Sequence, residues 1–184
     1  MKSLLSLAAI ATAIFAGSAE AQSVSDTEDF AVIGTVPAIC IGGSIAADGG
    51  IFDLGVLVDT STGLLRTDLS APSQVLSGGF CSSRSSIAVT ATPIVAQTFT
   101  SAAPAGFSRS VDFSASASGW TDIPATFNTA SSSNPAARQT RGTPFTGPIA
   151  VGIASFATTG GSALRLVADG SYSGTVTVTL TPES

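Results

Sequence analysis

YSGTVTVTLT, residues 172–181, sets Tyr172, Gly174, Val176, Val178 and Leu180 against Ser173, Thr175, Thr177, Thr179 and Thr181. Successive side chains of a strand point to opposite faces, so this stretch reads as a half-buried antiparallel strand with one apolar and one hydroxyl-bearing face. Weaker versions of the same period recur at residues 30–36, 51–58, 87–92, 111–117, 149–156 and 163–168. Asp48-Gly49-Gly50, Ser77-Gly78-Gly79, Thr159-Gly160-Gly161 and Asp169-Gly170 supply residues that tolerate positive φ and are predicted turns between these runs. Charged residues make up only 10% of the chain, which leaves little material for the i,i+4 pairs of exposed helices. The expected fold is therefore all-β, an antiparallel β-sandwich of about seven to eight strands.

Residues 118–148 break the rhythm with Pro124, Pro135, Pro144, Pro148 and the run Ser131-Ser132-Ser133-Asn134. They read as a long surface loop, and long loops in compact domains are where ligand contacts concentrate. Trp120, Arg138 and Arg141 are its candidate ligand patch, with Phe127 and Phe145 beside them. The competing reading has Trp120 and the phenylalanines cover one end of the sandwich.

At the other end, Lys2, the apolar stretch 4–16 and Ala19-Glu20-Ala21 form a positive start, an apolar core and a small-residue cleavage site. Residues 1–21 are expected to be a secretion signal, residues 22–29 an acidic tail, and residues 30–184 one sandwich domain. Removing the signal leaves 163 of the 184 residues, enough for one well-buried core. No later apolar run has membrane-spanning length, so no integral membrane segment is expected after signal removal.

Lys2 is the only lysine, so the exported chain has none and no Lys-Asn isopeptide bond can join copies of it. Its net charge stays at −5, since one basic and one acidic residue leave with the signal. A net acidic chain with scattered arginines lacks the cationic surface that nucleic acid requires. Cys40 and Cys81 are the only cysteines, and an oxidising compartment makes a bridge between them the expected state. With no histidine and no third cysteine, a soft metal site has no ligand set.

The absence of histidine also removes the commonest general base, and no Gly-x-Ser-x-Gly elbow occurs. Asp53, Asp59, Asp68, Asp112, Asp122 and Asp169 remain, but nothing in their spacing selects two for acid-base work. Asp26, Glu28 and Asp29 lack the glycine-centred loop of a calcium site. No catalytic residue, metal or cofactor is expected, and the chain reads as a non-enzyme.

Four segments together resemble the spore coat U-like domains and the subunits of archaic chaperone-usher pili. They are FAVIGTVPAIC at residues 30–40, FDLG at 52–55, GGFCSSRSSIAVTATPI at 78–94 and ADGSYSGTVTVTLT at 168–181. The resemblance implies an immunoglobulin-like sandwich that is incomplete and is completed by strand exchange. It also implies an exported structural subunit of a bacterial fibre, pilus or coat at the cell surface. Its partners would be copies of itself or related surface subunits, with a periplasmic chaperone and an outer-membrane usher in transit. Phe30, Val32, Gly34, Val36 and Ala38, on one face of residues 30–39, would be the donor strand. Two alternatives stay open: the same strand folds back to complete its own domain, or the chain is a monomeric binding module that uses the loop around Trp120.

Overall fold

The computed structural model describes residues 27–46 and 49–183, in two compact units, 1–35 and 36–184. The predicted signal, the tail as far as Asp26, and Asp48 of the first predicted turn lie outside the described residues. In the first unit, residues 27–35 form no strand and expose their side chains. The predicted strand at 30–36 is thus a correction. Ladder pairing of this stretch stops short of Pro37, which has no N–H to donate; Ile39 is instead held by Ser82, whose Oγ accepts its N–H at 3.0 Å.

The second unit is all-β, as expected. Its strands are β1 (Cys40–Ile41), β2 (Ser44–Ile45), β3 (Gln74–Cys81), β4 (Ser85–Ala96), β5 (Phe107–Ser108) and β6 (Ser110–Ser118). They continue with β7 (Ala125–Asn128), β8 (Arg138–Arg141), β9 (Phe145–Thr158), β10 (Arg165–Leu166) and β11 (Tyr172–Pro182). One curled antiparallel sheet runs β1-β3-β9-β6-β4-β11, with β2 on β3, β7 on β6 and β8 on β4, while β5 and β10 form a short parallel pair. The curl follows from β4, which pairs with β8 over residues 85–88 and with β6 only at Ile94 and Val95. Among the described residues no helix is long and apolar enough to cross a membrane.

Alternation places the core. Ile87 and Val89 from β4, Val111, Ala115 and Ala117 from β6, and Ile149 from β9 are fully buried, each large side chain contributing about 1.5–3 kcal/mol. On β11, Tyr172, Val176, Val178 and Leu180 are half-buried against this core while Thr175, Thr177 and Thr179 are exposed, so the predicted faces hold. Gly174 sits at an irregularity in the β11 ladder, where a Cβ would lie 2.8 Å from the carbonyl oxygens of Thr92 and Pro93. The Cys40–Cys81 bridge is present and ties β1 to β3 at directly paired positions.

Three other expectations need correction. Ser77-Gly78-Gly79 is not a turn but a bulge inside β3, where the register with β9 slips between Leu76 and Gly79 and Gly78 takes φ 76°. Residues 118–148 are not one loop: they hold β7, a 3-10 turn at Pro135–Ala137, β8 and the start of β9, because their prolines fall between these short strands rather than inside them, Pro148 on β9 excepted. Residues 51–58 form no ladder, apart from a single antiparallel bridge between Val58 and Leu65, because the backbone turns at Gly55, which takes φ 61° and donates its N–H to Asp53 Oδ1.

Candidate functional site

The second unit holds an apolar groove of about 940 Å³ beside the start of β11. Ile94 from β4, Phe113 from β6, Ile153 from β9 and Leu166 and Val167 around β10 contribute apolar surface to it. Residues 50–58 and residues 171–176 supply further lining, so the groove touches both the segment before the Val58 bridge and the last strand. Tyr172 is fixed in place by its hydroxyl, which donates to the Val167 carbonyl at 2.7 Å. Burial, followed by the charge of Asp169, pushes that phenol above its usual range.

A tyrosine near the start of a strand, bonded back to backbone a few residues upstream, also occurs in immunoglobulin sandwiches as the tyrosine corner. In those sandwiches the strand carrying it has a neighbour on each edge. Here β4 pairs along one edge of β11, and β11 ends the strand order, so among the described residues no strand is hydrogen-bonded along its other edge. The corner is braced by Asp169, whose carboxylate accepts the backbone N–H groups of Phe99 at 2.7 Å, Thr98 at 2.8 Å and Ser171 at 2.8 Å. These bonds, that from Phe99 foremost, hold the Asp169 carboxyl at about 2.

The charged residues that line the groove are Asp53, Arg165 and Asp169. Asp53 accepts from Gly55 N–H, and Arg165 donates through Nε to the Thr62 carbonyl. Elsewhere Asp59 accepts from Ser61, Asp68 pairs with Arg66, and buried Asp112 accepts from Thr129 and Thr159. Each of these carboxylates thus serves its own turn or strand junction. Among the described residues no group of His, Cys, Asp and Glu is placed to hold a metal.

The ligand patch read from sequence is not assembled. Trp120 is 0% exposed, its Nε1–H donating to Ser85 Oγ at 3.2 Å and its ring meeting Phe145 edge-on at 5.0 Å. Arg141 lies 3.9 Å over the Phe145 ring and donates to the Trp120 carbonyl, so it caps the same cluster. Arg138 is turned to Glu183 at 2.7 Å. The five candidate donor residues Phe30, Val32, Gly34, Val36 and Ala38 are all exposed, Phe30 at 88%, Val32 at 97% and Val36 at 84%. Sequence reasoning missed Phe113, Ile153, Leu166 and Val167 as groove residues; the Asp169-Gly170-Ser171-Tyr172 corner was the signal that points to them.

No family model matches the chain, and no curated protein or solved structure matches it.

Proposed function

We propose that the chain is an exported structural subunit of a bacterial cell-surface fibre, pilus or coat, assembled by strand donation between copies. The observation that carries this reading is a complementary pair. Residues 30–36 carry alternating apolar side chains and have no strand partner, while Ile39 is already bonded to Ser82 of its own chain, and the groove beside β11 has apolar walls and an unpaired edge. An exposed edge next to an apolar trough is a template for an added strand, whose backbone supplies affinity and whose alternate side chains supply fit. Phe30, Val32 and Val36 would each gain about 1.5–3 kcal/mol on burial, in addition to the new ladder. Such a joint is non-covalent, in keeping with a chain whose only lysine is Lys2. A periplasmic chaperone covering the groove and an outer-membrane usher delivering the subunit complete this reading.

The experiment replaces Val32 and Val36 with arginine, Val32→Arg and Val36→Arg, and follows assembly by native gel and electron microscopy. The variant should stay folded, remain in short species and bind a synthetic peptide of residues 30–39. A wild-type chain that is a stable monomer with residues 30–39 protected from hydrogen exchange would overturn the proposal.

A further inference from the structure

The chain is fastened to its domain from Pro37 onward. Ser82 Oγ donates to the Pro37 carbonyl at 3.2 Å and accepts the Ile39 N–H at 3.0 Å, while the Ser82 N–H donates to the Ile39 carbonyl at 2.9 Å. Cys40 follows at once with its bridge to Cys81. The segment free to be donated therefore ends at Val36, one peptide bond from the anchored Pro37. Beside this take-off point the outer face of the sheet is apolar. Cys40 turns inward to the core, so Ile39 and Ile41 on either side of it turn outward, where they are 43% and 51% exposed. Phe80 stands directly opposite Ile41 in the ladder of β1 with β3, which puts it on the same outer face, and its ring is not one of those packed on the core. The outward positions of β4 and β11 carry hydroxyls instead, at Thr90, Thr92, Thr175, Thr177 and Thr179.

A donated strand without slack brings two domains together. Consecutive Cα atoms lie about 3.8 Å apart, so a groove that holds Val36 of one copy lies within one residue's reach of that copy's own Pro37. The surface around Ser82, with Ile39 foremost, then faces the mouth of the groove. That mouth is apolar as well, since Ile51, Val56 and Phe107 line the groove and are exposed. We infer that Ile39, Ile41 and Phe80 form a docking patch for the groove rim of the next copy, so that successive domains touch and the joint between them is stiff. This rests on the strand-donation reading above. The occupant is a second copy because the tether sets another copy's groove against this patch, and because both surfaces leave large apolar side chains in water until they meet. Strand pairing holds the copies together, and the patch fixes the angle between them.

The test compares two full-chain variants with wild type, one carrying Ile39→Thr with Ile41→Thr and one carrying Phe80→Thr, all β-branched replacements on an outward face. Assembled species are diluted and the release of subunits is followed by native gel, while electron micrographs give the angles between successive domains. A synthetic peptide of residues 30–36, which lacks the patch, is titrated onto the full chain bearing Val32→Arg and Val36→Arg, with and without the threonine replacements. With the patch in place, both variants should release subunits at least about tenfold faster than wild type and show a wider spread of angles, while the peptide binds equally well throughout. Release and angles like those of wild type would overturn the patch and leave strand donation standing. Peptide binding weakened as much as assembly would also overturn it, because the replaced residues would then act through the groove. Should the Ile39 and Ile41 variant melt below wild type, the Phe80 variant decides by the same outcomes. If the peptide binds no chain, strand donation itself fails and takes the patch with it.

Discussion

Trp120→Ala should destabilise the sandwich by about 3–5 kcal/mol, the range for emptying a fully buried aromatic site. Three losses add to that figure. The indole gives up the dispersion and transfer energy of a ring that is 0% exposed, and its edge-on contact with Phe145 at 5.0 Å goes with it. The Ser85 hydroxyl, itself fully buried, also loses the Nε1–H that it accepts at 3.2 Å. A stranded buried hydroxyl alone costs about 1–3 kcal/mol. For a domain of this size the change corresponds to a fall in Tm of about 6–20 °C. Circular dichroism melts and urea titrations measure it in both proteins; Trp120 is the only tryptophan, so fluorescence would not serve the variant. A destabilisation below about 0.5 kcal/mol, the level of an unremarkable surface change, would refute the core assignment and return Trp120 to the ligand patch.

Replacing Cys40 and Cys81 together with serine should cost about 4 kcal/mol by loop-closure entropy for the 41-residue separation, read as a lower urea midpoint under oxidising conditions. Mass spectrometry of native wild-type protein should find no alkylatable thiol before reduction. Asp169 has a folded pKa of about 2 against an ordinary 3.8, so its stabilisation is complete above pH 4 and fades as the pH falls through that interval. Asp169→Asn should therefore be less stable than wild type at pH 6, with the gap between their melting temperatures narrowing from pH 4 to pH 2. An unchanged gap would mean that the amides of Phe99, Thr98 and Ser171 do not discriminate the charged carboxylate.

Much of the fold is legible where burial is decided locally. Residues 87–92, 111–117, 149–156 and 172–181 each state their two faces in their own spelling, and each lies within β4, β6, β9 or β11. The disulfide is equally readable, since the sequence has only two cysteines and they allow one pairing. Residues 118–148 resist reading for a non-local reason. The prolines mark breaks, but whether four residues between breaks become a strand depends on a free edge elsewhere, here β6 for β7 and β4 for β8. Trp120 looks like a loop residue because the groups that enclose it come from distant parts of the chain, Ser85 at its indole N–H, Phe145 against its ring and Arg141 on its carbonyl.

The two segments whose alternation did not produce a ladder are the instructive misses. Residues 30–36 and 51–58 have strand spelling, yet the described residues offer neither a full partner. Alternation dictates which side chains share a face, and it says nothing of which edge receives the backbone. Local consistency with the global fold is the rule in evolved sequences, and departures from it gather at functional places. On the proposed reading, the exposed alternating segment 30–36 is the part of the sheet that a neighbour would receive. The opposite account, in which both segments are surface chain with accidental alternation, leaves Phe30, Val32, Ile33 and Val36 facing water for no return. A run of exposed large apolar side chains is itself an aggregation hazard. On the proposed reading, strand donation would turn that hazard into the joint.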